Sequence, residues 1–156
     1  MSPGPYLNSG VFRTAVSANT AEQQEEVGVW RFESGNIYRY MRAGALIPAY
    51  EAVSYDNSVV SGSPLLLGNQ VIAAIGETNL VLGIAETTLS SGNYGWITVY
   101  GPVTARVQTT VIPGRQLGAA GETGVLGIRT TSNYHQSALA VQTGLSAGSA
   151  VFLRAL

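Results

Sequence analysis

The sequence predicts an all-β protein: a small β-barrel or β-sandwich of short antiparallel strands, led by an extended N-terminal arm. Three observations carry this expectation. Short runs of β-formers alternate with period two, each run is bounded by Gly, Pro, Ser or Asn, and no segment keeps a 3.6-residue period for three turns. A chain of 156 residues suits one domain, and a domain of that size buries roughly 70% of the surface its unfolded chain exposes. A core can therefore form without staples, and there is no cysteine to supply them.

Residues 1–26, MSPGPYLNSGVFRTAVSANTAEQQEE, read as the arm, and 27–156 as a single β-domain. Pro3, Gly4 and Pro5 favour extended backbone, and the Glu-rich end favours solvent. Thr20 and Gln23 have the spacing of a capping box, which allows one short helical turn before Val27, although the apolar face such a turn needs is missing.

From Val27 onward the β runs are VGVWRF, NIYRYMRAG, SPLLLG, QVIAAIG, LVLGIAET, GWITVY, VTARVQTTVI, GVLGIRTT, SALAVQT and SAVFLRAL. In NIYRYMRAG, Ile37, Arg39 and Met41 fall on one face and Tyr38, Tyr40 and Arg42 on the other. Neither face is purely polar, so the outer side of this strand is expected to be covered by the arm or by a partner. Gly101-Pro102 reads as a bend that redirects the chain from GWITVY into VTARVQTTVI.

Two internal echoes refine the picture. VLGIAETT at Val81 to Thr88 recurs as VLGIRTTS at Val125 to Ser132, and a glycine inside a strand marks a bulge or the close approach of another backbone. Ile47-Pro48-Ala49, Leu89-Ser90-Ser91-Gly92, Ile112-Pro113-Gly114 and Leu145-Ser146-Ala147-Gly148 each place an apolar residue before a small-residue turn. The chain thus reads as strands re-aimed at intervals, as closing a small barrel requires.

Composition narrows the function. The formal charge is -1, only 11% of residues are charged, and all eight basic residues are arginine. Such a chain is not built to capture nucleic acid or an anionic membrane electrostatically. The long uncharged spans, Asn57 to Gly76, Thr87 to Ala105 and Thr130 to Leu153, are each broken by Ser, Thr, Asn, Gln or Gly, so none is a transmembrane helix. The N-terminus lacks the basic and apolar regions of a signal peptide, which points to a protein made in the cytoplasm. A charge-poor surface of this kind suits a protein covered by other protein, the rival being a β-domain with a Ser/Thr surface.

Motifs for chemistry are missing. A Ser-His-Asp triad would have to use the one histidine, His135, in the polar stretch SNYHQS, and the one aspartate, Asp56, and no G-x-S-x-G elbow is present. Glu77, Glu86 and Glu122 are isolated carboxylates of the solvated kind. One His, one Asp and no Cys do not make a metal site. The glycine-rich GAAGETGVLG, Gly118 to Gly127, is followed by a β run and lacks any lysine, so it reads as a hairpin or loop and not as a phosphate cradle. No catalytic, cofactor-binding or metal-ligating residues are expected, no cofactor is implied, and the chain reads as a non-enzyme.

The aromatics leave two readings open. Tyr94, Trp96, Thr98 and Tyr100 share one face of a strand, opposite Gly95, Ile97 and Val99. An exposed row of this kind stacks on a sugar or a base, whereas a covered one belongs to a core or an oligomer interface, which is the favoured reading. Candidate contact residues are therefore Tyr6, Val11, Phe12 and Arg13 in the arm and Tyr38, Tyr40, Tyr94, Trp96 and Tyr100 in the body.

Taken in order, Val27 to Phe32, Gly35 to Gly44, Ile47 to Ala49, Leu82 to Ala85, Ser91 to Gly101, Val125 to Ile128 and Ala150 to Leu153 resemble the strand-and-turn pattern of head decoration, or cement, proteins of tailed bacteriophages. The resemblance implies a homodimer or homotrimer on the outer capsid surface of a virion, bridging copies of the major capsid protein, without nucleic acid or membrane as partner. It also implies an arm that reaches a second subunit. A carbohydrate- or host-binding β-module of a head fibre or tail is the alternative.

Overall fold

The computed structural model describes residues 12–56, 70–74, 80–128, 138–142, 144 and 148–155. Every regular element among them is a strand: β1 (Asn19–Thr20), β2 (Trp30–Glu33), β3 (Asn36–Ala43), β4 (Ala52–Tyr55), β5 (Gln70–Ala73), β6 (Gly83–Ile84), β7 (Tyr94–Ala105), β8 (Gln116–Ala119), β9 (Leu126–Ile128), β10 (Ala138–Ala140) and β11 (Ser149–Arg154). The all-β expectation holds, and the short helix admitted at Thr20 is replaced by β1, which pairs with the start of β7. The run SPLLLG lies outside the described residues.

The strand pairings close on themselves twice, and β7 is common to both closures. On one side β7 pairs with β3, β3 with β5, β5 with β4, β4 with β6, and β6 returns to β7 through Ile84 and Thr98. On the other side β7 pairs with β11, β11 with β10, β10 with β8 and β8 with β9. From β9, Leu126 bridges back to Val107, just beyond the end of β7. Closure removes most of the free sheet edge. The pairing is mixed and not purely antiparallel, because β3 and β5 run parallel. At twelve residues β7 is longer than the short strands expected.

Each closure has its own core. Met41, Ala43, Ile47, Val53, Val71, Leu82, Ala85, Leu89, Ile97 and Val99 fill the first. Val103, Ala105, Val107, Leu117, Leu126, Val151 and Leu153 belong to the second, with Ala52 and Ile84 joining it from the first ring. Burying one such Val, Leu or Ile is worth about 1.5–3 kcal/mol, so each ring has its own reason to close.

The Gly-Pro pair does not break the strand. Gly101 takes a left-handed φ of 110°, but β7 continues through it, and Pro102 pairs with Phe152 of β11. What changes there is the neighbour: β3 flanks β7 up to Tyr100, whereas β11 flanks it from Tyr100 onward. Beyond the end of β3, the Asn36 side chain donates from Nδ2 to the Pro102 carbonyl at 3.1 Å. A side chain on Gly101 would run into that Asn36 amide.

The turn echoes also have a structural role. Ile47 and Leu89, the apolar residues of the first two, are fully buried and bond to each other through both backbone N–H groups at 2.9 Å. A strand follows the first, second and third of these turns, and β11 follows Gly148 of the fourth. GAAGETGVLG forms the β8–β9 hairpin, with Gly121, Glu122 and Thr123 exposed at its tip. Among the described residues, no helix is long and apolar enough to cross a membrane.

Candidate functional site

The aromatic face predicted on β7 is assembled by its pairing with β3. Tyr40 lies opposite Trp96, Tyr38 opposite Thr98 and Arg42 opposite Tyr94, with a register shift at Ile37/Tyr38. Alternation turns these side chains away from the first core, towards the outside of the ring. They do not meet solvent there: Trp96 is 2%, Tyr38 7% and Tyr40 0% exposed.

The cover is the described part of the expected arm together with the first residues of the body. Phe12, Val16, Val27 and Val29 pack on Tyr38, Tyr40 and Trp96. The Phe12 ring stands edge-on to Trp96 with centroids 5.0 Å apart, and Tyr40 meets Trp96 at 5.1 Å. Trp96 donates from Nε1 to the Thr14 hydroxyl at 2.9 Å. The Arg31 guanidinium lies over both Phe12 and Trp96 and donates to the Thr14 carbonyl at 2.7 Å. One Glu25 oxygen accepts from the backbone N–H groups of Arg13 and Thr14, which fixes the path of the segment. Gln24 N–H donates to the Tyr40 hydroxyl, so the buried phenol is satisfied from above.

These contacts relocate the candidates. Tyr38, Tyr40 and Trp96 were candidate contact residues in a row read as core or oligomer interface, and within this chain they are interior, because residues 12–29 fold back across them; a sugar-stacking role for Trp96 is incompatible with its burial. Tyr94 is half-buried and stacked on Tyr40 at 6.2 Å. Tyr100 is half-buried against Phe152 at 5.3 Å. Phe12 is half-buried and Arg13 exposed. Tyr6, Val11, Glu77 and His135 lie outside the described residues.

Burial pushes the Tyr38 phenol above its ordinary pKa of 10.0, against a smaller opposing effect of the Asn36 side chain, which donates to it at 3.2 Å. A phenol whose folded pKa is raised supports the fold fully below the unfolded value, and that support is lost as the pH rises through the folded value. Stability measured by denaturant titration should therefore fall as the pH climbs from about 10, and Tyr38→Phe should flatten that fall. An equal decline in the variant would assign it to other groups.

Among the described residues two apolar surfaces are open, and of the residues that form them only Tyr100 was a sequence candidate. On β2, Trp30 is 42% and Phe32 74% exposed. They project on the side of Ile37 and Arg39, and the Arg39 guanidinium lies 5.4 Å from the Trp30 ring. The alternation in Trp30-Arg31-Phe32-Glu33 was the available signal. The second surface is a row across three strands: Leu139 faces Phe152, Phe152 faces Pro102, and Tyr100 closes on Phe152.

No comparable convergence of chemical groups occurs among the described residues. Among the described residues no three His, Cys, Asp or Glu side chains gather. Asp56 is buried and accepts from Gln70 Nε2 at 2.8 Å, and Glu86 accepts from the Thr98 hydroxyl. A polar cleft runs along Arg106, Gln108, Thr109, Thr110 and Glu122, but Arg106 is already held between Glu51 and Glu122 at 2.8 Å each.

The chain is similar in structure to the N base of the head fibre gp8.5 of bacteriophage phi29. The match has a TM-score of 0.54 at 15% sequence identity, over 76% of this chain and 92% of that one. No protein-family model and no curated protein matches. At that identity the likeness is one of fold. It spans nearly the whole of the phage domain, so the shared feature is the architecture and not one sub-motif.

Proposed function

We propose that this chain is a non-enzymatic structural protein of a tailed-bacteriophage head, made in the host cytoplasm, which binds the outer surface of the major capsid protein shell and stabilises it. The observation that supports this best is the fold likeness to a phage head fibre base over most of both chains. The strand-and-turn resemblance to cement proteins points to the same part of the virion. A protein that binds the assembled shell and not its loose state stabilises the shell by its binding free energy, and many copies add weak contacts into a large effect. Low charge and two exposed apolar surfaces suit contacts that tolerate salt.

The same likeness favours a second, narrower reading, the base of a head fibre. Purified virions separate the two. A protein carrying this sequence, present in proportion to the major capsid protein and stripped by mild chaotrope, is the decoration outcome. A few copies per particle that leave together with a fibre is the fibre outcome. Absence from particles overturns both.

The arm also has a test. Cutting after Glu26 would remove Phe12 and Thr14 from Trp96, so the informative truncation is residues 1–11. It keeps the contacts of Phe12 and Thr14 and is expected to weaken binding to capsids by about tenfold or more, since a segment whose sequence favours extended backbone can add affinity through backbone pairing. Undiminished binding of the truncated protein would remove the arm from the proposal.

A further inference from the structure

Among the described residues β2 pairs with β3 alone, so its second edge is open. Natural proteins blunt such edges with projecting charges or by covering them. Here the charge nearest the edge is withdrawn: Arg31 is held beneath the strand by Thr14, Phe12 and Trp96, and by Glu33 at 2.6 Å. Trp30, Phe32 and Glu33 are exposed, and the first two are large and apolar.

We propose that this edge pairs with the same edge of a second copy of the chain, antiparallel about a two-fold axis through Phe32. The sequence of β2 selects that register. With Phe32 opposite Phe32 of the partner subunit, Arg31 faces Glu33 of the partner subunit, and Glu33 faces Arg31 of the partner subunit. One face of the ribbon then carries reciprocal ion pairs and the other a cluster of aromatic rings. Centring the axis on Arg31 or on Glu33 sets like charges directly opposite, which is unfavourable in a sheet. Centring it between Arg31 and Phe32 sets a charge against a ring. Glu33 is the most accessible member of the charge pattern, with 45% of its side chain exposed, and so can turn from its own Arg31 to the partner's. The pairing is isologous, so every contact is made twice. It stands independently of any role in a virion.

The chain has no cysteine, which makes single-cysteine cross-linking clean. Residues directly opposite in an antiparallel pair have Cα atoms about 4.5–5.5 Å apart, within the span of a disulfide. Phe32→Cys should therefore form a reducible dimer under mild oxidant much faster than Leu46→Cys, an exposed control at 60% against 74% for Phe32. In the cysteine-free chain, light scattering over a concentration series should show a species of twice 16.3 kDa. Phe32→Glu and Glu33→Arg should each weaken self-association about 100-fold or more, because each change acts twice across the axis. Both positions are exposed enough to leave the fold intact, which circular dichroism checks. A monomer at every concentration, an oligomer indifferent to both changes, or equal cross-linking of the two cysteine variants overturns the proposal.

Discussion

Replacing Trp96 with alanine should cost about 4 kcal/mol of folding free energy, the usual size for removing a buried tryptophan. For a chain of this length that corresponds to a fall in Tm of about 10 °C or more. The loss has identifiable parts. The indole fills the space between β7 and residues 12–29, carries the edge contacts of Phe12 and Tyr40, and lies under the Arg31 guanidinium. Its Nε1 is the donor to the Thr14 hydroxyl. Trp96→Phe keeps much of the volume and loses that bond, so it should cost less, nearer 1–2 kcal/mol. Because the indole anchors the covering segment, limited proteolysis of Trp96→Ala should cut first between Arg13 and Glu26. A loss below about 1 kcal/mol, with cleavage elsewhere, would mean that the segment is held without the indole. In a Trp30→Phe background Trp96 is the one tryptophan left, so its fluorescence reports the same event.

The covered face was legible in the sequence because alternation is local information. Tyr38, Tyr40 and Arg42 on one side of β3 and Ile37, Arg39 and Met41 on the other left no polar face for solvent, and the structure supplies the cover from residues 12–29. The boundary at Glu26 was drawn on composition, which does not register that Phe12 and Val16 have a buried aromatic cluster to pack against. The two readings of the β7 aromatics also needed tertiary information. A strand with one aromatic and one aliphatic face looks the same whether the aromatics meet water or a folded-back segment.

Other features failed to show for other physical reasons. Strand β4, AVSY, is buried on both faces, yet Ala52 and Ser54 are too small to register as β-formers. Strand β8, QLGA, was missed as a strand: its last two residues open the glycine-rich stretch read as a hairpin or loop, and Gln116 and Leu117 alone are too short a run to register. The parallel pair β3–β5 joins strands that are not consecutive, and no local pattern encodes a parallel neighbour. Gly101-Pro102 carries the usual marks of a strand end. It is tolerated mid-strand because the missing donor falls where β3 runs out, and Asn36 serves the Pro102 carbonyl. Trp30 and Phe32 were visible as alternating aromatics in VGVWRF, but their exposure depends on which strand is last in the sheet.

The repeated VLGI step gives the sharpest contrast between what a motif says and what its surroundings decide. Both copies place a glycine in a short strand, Gly83 in β6 and Gly127 in β9, and the sequence treats them alike. A methyl group on Gly83 would lie 2.5 Å from the backbone carbonyl oxygen of Thr98, and 3.4 Å from Ile97 Cδ1. That carbonyl belongs to β7 and has nowhere to go, so β6 would have to move off it. β6 is the link by which the first ring closes, through Val53 to Gly83 and Ile84 to Thr98. Gly83→Ala should therefore cost about 3 kcal/mol, at the upper end for overpacking, since a ladder contact is lost as well. At Gly127 the nearest atom is the side-chain Oε1 of Gln108, which belongs to an exposed residue and can swing away. Ala120 Cβ at 3.1 Å leaves some residual crowding, so Gly127→Ala should cost about 1 kcal/mol. Gly121→Ala, at the exposed hairpin tip with nothing within 4 Å, should be neutral or slightly stabilising. Denaturant unfolding of the three variants should thus rank them Gly83 far below Gly127, and Gly127 below Gly121. Equal losses at Gly83 and Gly127 would mean that the close approach of β6 to β7 is not what closes the ring.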